Sequence, residues 1–322
     1  MIKVAVLDDY QRRADGDADW GLLGPEVEVV FFHETIPPTA LVQTLEEFEV
    51  LVLMRERTAF RRAVLEALPK LQLLVTTGMG NASVDIGYLN ERGVVVCGTG
   101  RSGGSEAPGV PSTAEVAWAL ILALCKRVTL EDHAIREGRW QLDLPTNLSG
   151  ATLGLAGLGH LGGAMVGPAR AFGMDVIAWS ENLTQARADD LGVRRVSKEE
   201  LLAESDVLGI FLVLSDRTLG LFQRGDLAQM KPTAFIVNIS RGPIIEESAL
   251  LEALQNGTIA GAGLDVFERE PLPKDHPFRT AENVVLMPHV GYVTEAGFRD
   301  SFEKMAENVA AFLAGAPIRV VE

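Results

Sequence analysis

The stretch Thr152-Leu153-Gly154-Leu155-Ala156-Gly157-Leu158-Gly159-His160-Leu161-Gly162 decides the fold. Its first part carries no charge and reads as a strand buried on both faces. Glycines at the first, third and sixth places of GLGHLG then open a helix expected over Leu161–Phe172, and a second strand is expected over Asp175–Trp179. A glycine repeat alone says little. Between a strand and a helix it is the fingerprint of a dinucleotide-binding βαβ unit. Gly157 allows the tight turn, Gly159 lets backbone approach a pyrophosphate, and Gly162 allows the helix to lie close to the strand. The helix start, with His160 and Leu161, offers N–H groups to the phosphates. An acid near the end of the second strand would hold the adenosine ribose hydroxyls. Ser180 and Glu181 fall there, and positions 180 to 185 contain no Lys or Arg. Glu181 would repel a 2′-phosphate, so NAD is expected, with NADP not excluded.

Outward from this unit the same rhythm continues. Apolar runs at Ile2–Leu7, Val27–Phe32, Val50–Met54, Leu71–Thr76 and Val94–Cys97 precede it. Val207–Val213, Ala234–Asn238, Gly261–Asp265 and Val284–Met287 follow. Helical stretches fill the gaps, as at Pro38–Phe48, Arg61–Leu68, Glu247–Asn256 and Glu295–Gly315. Strands without polar alternation, separated by helices, define an α/β class with parallel sheets. Ser112-Thr113-Ala114-Glu115 reads as a capping box. The helix it would start is apolar on nearly every face from Val116 to Cys125, as a domain connector or subunit interface would be. The Gly-, Ser- and Pro-rich run Gly98–Pro111 reads as a linker and hinge. A second crossing is expected near His289–Thr294. The domains expected are therefore 1–100 plus 293–322, and 101–292.

The 322 residues suit two domains, and a hydrophobic share of 47 % with 23 % charged residues excludes disorder. The formal charge of −15 argues against nucleic acid and anionic membrane as partners. It also means that an anionic substrate needs a local positive pocket. The longest apolar run is too short to span a bilayer, which takes about 20 residues. The N-terminal run is cut by Asp8 and Asp9, unlike a signal peptide. Cys97 and Cys125 make no disulfide framework. A cytoplasmic location is expected, and no metal.

Further chemistry gathers after later strands. Asn238-Ile239-Ser240-Arg241-Gly242-Pro243 places a planar guanidinium where α/β sheets bind ligands. Leu264-Asp265-Val266-Phe267-Glu268-Arg269-Glu270-Pro271 brings acids, and Pro288-His289-Val290-Gly291 a histidine. A carboxylate beside a histidine raises its pKa and sets its tautomer, so together these form an acid/base set. In the first half, Thr77-Gly78-Met79-Gly80 reads as an anion nest, and Arg55-Glu56-Arg57-Thr58 as a cationic loop.

Taken together, GLGHLG at 157–162, SRG at 240–242, LDVFEREPLP at 264–273 and PHVG at 288–291 resemble the D-isomer-specific 2-hydroxyacid dehydrogenases, in the phosphoglycerate dehydrogenase-like branch. The resemblance covers essentially the whole chain. It implies two Rossmann-like domains, flavodoxin-like and NAD-binding, each with a doubly wound parallel sheet and with a cleft between them that closes about the hinge. It implies hydride transfer between nicotinamide and C2 of a 2-keto or D-2-hydroxy acid. Arg241 matches the residue that binds the substrate carboxylate and carbonyl, His289 the acid/base, and Glu270 its paired acid. Thr113, Leu212, Val213, Ser215, Thr218, Ile239, Ser240, Asp265 and Gly291 match positions along the cofactor. Gly78, Met79, Gly80, Arg55 and Arg57 match substrate-side groups. A homodimer is implied, with Val116–Cys125 as its apolar helix. The pattern departs from the family at Ser180, Val213 and Ala82-Ser83-Val84-Asp85, and in a long 101–111 linker. The chain stops at Glu322, so no added regulatory domain is expected. An NAD(H)-sensing, non-catalytic regulator of the same fold is the alternative. Formate dehydrogenase is disfavoured, because that enzyme has Gln in place of Glu270.

Overall fold

The computed structural model describes residues 1–100 and 110–322. They form two compact units, Met1–Pro108 with Val293–Glu322, and Gly109–Tyr292. Most of the linker read at Gly98–Pro111, and with it the expected 100/101 boundary, lies outside the described residues.

In the first unit, β1 (Ile2–Val6), β2 (Val27–Phe31), β3 (Val50–Leu53), β4 (Leu73–Thr76) and β5 (Val95–Gly98) form one parallel sheet in the order β2-β1-β3-β4-β5. The central strands VLVL and LLVT are buried throughout, as their uniform hydrophobicity requires. At the β5 edge the C-terminal segment takes the open hydrogen-bonding positions. Val321 N–H donates to the Val96 carbonyl at 2.8 Å and Gly98 N–H to Arg319 at 2.9 Å. The long helix Glu295–Leu313 anchors beside it, with Asn308 Nδ2 donating to the Gly98 carbonyl at 2.9 Å.

The second unit carries β6 (Thr152–Ala156), β7 (Asp175–Trp179), β8 (Arg194–Arg195), β9 (Val207–Ile210), β10 (Phe235–Asn238), β11 (Gly261–Leu264) and β12 (Val284–Leu286). The order is β12-β11-β10-β9-β6-β7-β8, and every pairing is parallel. Strand β8 escaped the sequence reading because two exposed arginines carry no apolar signal. Strand β9 stops at Ile210, short of the expected Val213, and the following residues leave the sheet. The expected helix Leu161–Phe172 is two short helices, His160–Ala164 and Val166–Ala171. Pro168 has no N–H to give the Ala164 carbonyl, which explains the break.

The apolar helix runs over Ser112–Cys125, and its capping-box reading needs correction. Pro111 is the N-cap and no side chain caps the helix. The helix begins at Ser112, one residue too early for Ser112 to serve as the cap, and the Thr113 hydroxyl is used elsewhere. Ala117, Leu120, Ile121 and Leu124 are at most 3 % exposed and join the core with Leu153, Leu155 and Val237. Burying each large aliphatic side chain contributes about 2 kcal/mol. One face of this helix is therefore packed within its own unit, while Val116, Leu122 and Ala123 stay half-buried and Ala119 exposed.

Strand order reverses between β1 and β3 in the first unit, the place where doubly wound sheets open a crevice. The loops leaving these strands are tied together there. Arg57 Nη1 donates to the Asp8 carbonyl at 2.5 Å, and Thr58 Oγ1 donates to the Asp8 carboxylate at 2.6 Å. Asp8 is 2 % exposed and sits at φ 58°. Burial pushes its carboxyl above the usual carboxylate range, against the opposing pull of Thr58 and Arg57. Such a group binds its proton more tightly in the folded chain than in the unfolded one. Its contribution to stability is largest in acid and is lost as pH rises from the ordinary value of 3.8 through the raised folded value. Asn tolerates positive φ and does not titrate. We expect the stability of the wild type relative to Asp8→Asn to fall as pH rises across that window in urea melts, and a pH-independent difference would refute this account.

Candidate active site

In the second unit the order reverses between β6 and β9, and a cavity of about 570 Å³ opens beyond their carboxyl ends. Gly157 and Gly159 form one side, residues 179–184 at the end of β7 and after it a second, and Leu212, Val213, Ser215 and Thr218 after β9 a third. The three glycines of the motif act differently. Gly157 lies at φ +102°, and a Cβ there would come within 2.8 Å of the Phe211 carbonyl oxygen. A Cβ on Gly162 would sit 2.0 Å from the Gly157 carbonyl oxygen, so the glycine lets the helix lie on the turn. A Cβ on Gly159 would meet nothing within 4 Å. The second glycine is thus a bare stretch of backbone at an open cavity wall. That fits a pyrophosphate approaching the main chain, and a dinucleotide fits the residues present.

The neighbouring strands β10, β11 and β12 carry the charged side chains. Asn238, 1 % exposed at the end of β10, folds the next turn: its Oδ1 accepts from Ser240 N–H at 3.0 Å and its Nδ2 donates to the Arg241 carbonyl at 2.9 Å. The Ser240 hydroxyl donates to the Leu212 carbonyl, tying this turn to the loop after β9. A Cβ on Gly242 would lie 2.0 Å from the Phe267 carbonyl carbon. Only glycine lets the Arg241 turn rest on the loop after β11.

Within that loop Glu270 Oε1 accepts from Phe267 N–H at 2.9 Å, while Oε2 lies 2.6 Å from His289 Nδ1. Glu270 is therefore the acid that meets the histidine. His289 has φ 55° and its side chain is 22 % exposed. Asp265 holds this strained turn, its two oxygens accepting from Val290 and Gly291 N–H at 2.8 and 2.9 Å. Burial raises the Asp265 carboxyl above the ordinary range despite these two bonds. Thr113 Oγ1 donates to the Gly291 carbonyl at 2.9 Å. The observed bonds of Thr113, Asp265 and Gly291 thus brace the histidine loop.

Of the residues expected along the cofactor, Gly157, Gly159, Ser180, Glu181, Leu212, Val213, Ser215 and Thr218 line the cavity. His160, Leu161 and Gly162 follow in the helix, and Ile239 and Ser240 lie after β10. Sequence reasoning passed over Asn238, whose signal was only its place at a strand end. It also passed over Arg187 and Arg217, both of which line the cavity.

The first unit gathers its own polar groups after β3 and β4. Arg55, at φ 56°, donates its N–H to Thr77 Oγ1 at 2.8 Å, and its carbonyl accepts from Asn81 Nδ2 at 2.8 Å. The Gly78 N–H is taken by Thr99 Oγ1 at 2.9 Å, which leaves Met79 and Gly80 to carry the nest reading. Arg57 stacks over the Tyr10 ring at 4.5 Å as well as bonding Asp8. Among the described residues no group of three or more His, Cys, Asp or Glu is placed to hold a metal, and no helix is long and apolar enough to cross a membrane.

A glycine turn on an open cavity, with a carboxylate–imidazole pair at adjacent strand ends, defines a dinucleotide-dependent oxidoreductase. Comparison with known proteins makes this specific. Residues 118–291 match the model of the D-isomer specific 2-hydroxyacid dehydrogenase, NAD binding domain. Glyoxylate reductase of Korarchaeum cryptofilum is 34 % identical over 298 residues, covering 89 % of this chain and 87 % of that protein. D-3-phosphoglycerate dehydrogenase of Archaeoglobus fulgidus is 33 % identical over 283 residues, covering 87 % of this chain and 52 % of that longer protein. The crystal structure of phosphoglycerate oxidoreductase from Vibrio cholerae superposes with a TM-score of 0.89 at 34 % identity, covering 98 % of this chain and all of that one. The chain belongs to the D-isomer-specific 2-hydroxyacid dehydrogenases, NAD(P)-dependent oxidoreductases of 2-hydroxy acids.

The glycines give a paired prediction. Gly162→Ala forces backbone apart and should cost about 1–3 kcal/mol or more in denaturant melts. Gly159→Ala should change stability by no more than ~0.5 kcal/mol, yet weaken NADH binding measured by fluorescence. Equal stability losses in the two variants would contradict the distinct roles.

Proposed function

We propose that this protein is a 2-keto acid reductase or D-2-hydroxyacid dehydrogenase in which Arg241, Glu270 and His289 form the catalytic set. The observation that carries the reading is the 2.6 Å contact between Glu270 Oε2 and His289 Nδ1. With Nδ1 committed to the carboxylate, Nε2 is the nitrogen that exchanges a proton with the substrate oxygen. In reduction it gives a proton to the carbonyl, and in oxidation it takes one from the hydroxyl. Glu270 stabilises the imidazolium and fixes the ring, while Phe267 N–H orients the carboxylate. Arg241 binds the substrate carboxylate with its planar fork and polarises the carbonyl. Bound nicotinamide supplies or receives the hydride. Arg55 and the amides of Met79 and Gly80 are kept as substrate-side groups of the first unit. The substrate class is a small 2-keto or 2-hydroxy acid, with glyoxylate, hydroxypyruvate and phosphohydroxypyruvate as the first candidates.

A steady-state NADH oxidation assay over these three acids tests the assignment. His289→Ala should lose ~10²–10⁴-fold in kcat while still binding NADH. Glu270→Gln should lose less, because an amide oxygen can still accept from Nδ1 and hold the ring. Arg241→Ala should raise KM and lower kcat for every acid. Full turnover in His289→Ala would overturn the acid/base role.

We further propose a homodimer, seated on the apolar helix the sequence suggested and on the chain just beyond it. The helix Ser112–Cys125 packs one face into its own core and leaves Val116, Leu122 and Ala123 half-buried and Ala119 exposed on the other, and the chain beyond it exposes Val128, Ile135, Leu142 and above all Trp140 (73 %) and Leu144 (88 %). Exposed apolar side chains concentrated in one segment are the usual mark of an association surface, and a second copy is the occupant proposed. Light scattering of the wild type should give the mass of a dimer, and Trp140→Ser with Leu144→Ser should give a monomer. A monomeric wild type at micromolar concentration would remove this reading. Cys97 and Cys125 are free, buried thiols, which supports a reducing, cytoplasmic location.

A further inference from the structure

We propose that His276 and Glu247 form a positioning pair that sets where Arg241 and Glu270 stand relative to one another. The inference rests on the reading of Arg241, Glu270 and His289 as the catalytic set. His276 Nε2 lies 2.9 Å from Glu247 Oε1. The two side chains are only 13 % and 22 % exposed, so salt and water screen the pair less than a surface contact. Phe278 N–H donates to His276 Nδ1 at 3.2 Å, so Nδ1 presents its lone pair. The ring proton then sits on Nε2, which donates to the Glu247 carboxylate. One side chain thus makes two directed bonds, one to its own loop and one to a different segment.

The segments joined are the two that carry the chemistry. Glu247 lies six positions after Arg241 and starts the helix Glu247–Gln255, with only the short turn Gly242–Ile244 between them. His276 lies six positions after Glu270, in the loop that leaves β11. The loop meets the Arg241 segment first where the Phe267 carbonyl rests on Gly242. The bond from His276 to Glu247 is a second fastening further along. Between the two, Phe267 and Phe278 are 7 % and 2 % exposed and pack with Ile245 and Leu250 around a void of only about 10 Å³. Close-packed groups of this kind transmit a displacement rather than absorb it. Phe267 N–H orients the Glu270 carboxylate, and Arg279 ties the stretch after Glu270 by donating to the Leu272 and Pro273 carbonyls, both at 2.7 Å. Losing the pair therefore shifts Glu270 against Arg241, and a misplacement of about 1 Å costs on the order of 100-fold in rate. The glycine turn after β6 is separated from β11 by β10 and β9, so dinucleotide binding is spared.

Two substitutions separate the bonds of His276. His276→Asn keeps an acceptor for Phe278 N–H but is too short to reach Glu247. His276→Gln places an amide N–H near the place of Nε2 and keeps the bond to Glu247. The test is NADH oxidation by the full chain with the three keto acids, with kcat divided by the number of NADH-binding sites found by fluorescence titration. His276→Asn and Glu247→Ala should each lose ~10- to 100-fold in kcat per site, with the Kd of NADH changed by no more than about threefold. His276→Gln should stay within about threefold of wild type. The double variant His276→Asn with Glu247→Ala should lose no more than the worse single one, because the two share one bond. A purely structural role would lower the number of binding sites and leave kcat per site unchanged. The proposal is overturned by that result, by loss of NADH binding in both single variants, or by a His276→Gln variant as slow as His276→Asn. If His289→Ala keeps full turnover, or wild type reduces none of the acids, the catalytic set itself is refuted and this inference with it.

Discussion

A parallel sheet sends every strand out on the same edge, and the active site depends on that constraint. Strands β6, β7 and β9 to β12 end side by side, so residues more than 130 positions apart in sequence, from Gly157 to His289, emerge along one line. Loops at that edge must still be brought close enough to act together. The approach is made by backbone against backbone, which is why glycine recurs where turns touch. Gly162 lies on the Gly157 carbonyl, and Gly242 on the Phe267–Glu268 peptide. At each place a single Cβ would push apart the groups that the chemistry needs together.

The histidine loop shows how a strained turn is held. His289 occupies the left-handed region, where non-glycine residues are uncommon and cost free energy. Asp265 offsets that cost with two charge-assisted bonds to the amides just after it, Thr113 adds a third bond, and Glu270 fixes the ring. A carboxylate buried this far is expensive in water-poor surroundings, as its raised pKa shows. It is tolerated because both of its oxygens are satisfied. The acid that touches the histidine and the acid that shapes its loop are therefore different residues with different tasks.

The overall charge of −15 and the binding of anions are reconciled locally. Backbone at Gly157–Gly162 presents partial positive charge without any side chain, and Arg187 and Arg217 add full charges on the same cavity. In the first unit Arg57 is spent on Asp8 and Tyr10, whereas Arg55 is clamped by its backbone beside the glycine turn. Two arginines two positions apart in sequence thus do unlike work. The sequence listed both and had no means of separating them.

By itself the sequence determined the class of fold, nearly every strand and the glycine turn, and it put Arg241, the acids Glu268 and Glu270, and His289 after strands. Each of these rests on local pattern: runs of Val, Ile and Leu for buried strands, and charged residues directly after them. The edge strand Arg194–Arg195 was invisible because two exposed arginines leave no hydrophobic trace. Only the tertiary structure decided which acid reaches His289, that Thr113 and Asp265 hold its loop, and which face of Ser112–Cys125 is buried in its own unit. It also decided that Arg187 stands beside Glu181 on the cavity wall. These are matters of direction and contact between distant segments. A sequence records the order of residues, but contacts between distant ones exist only once the sheet has aligned its strands.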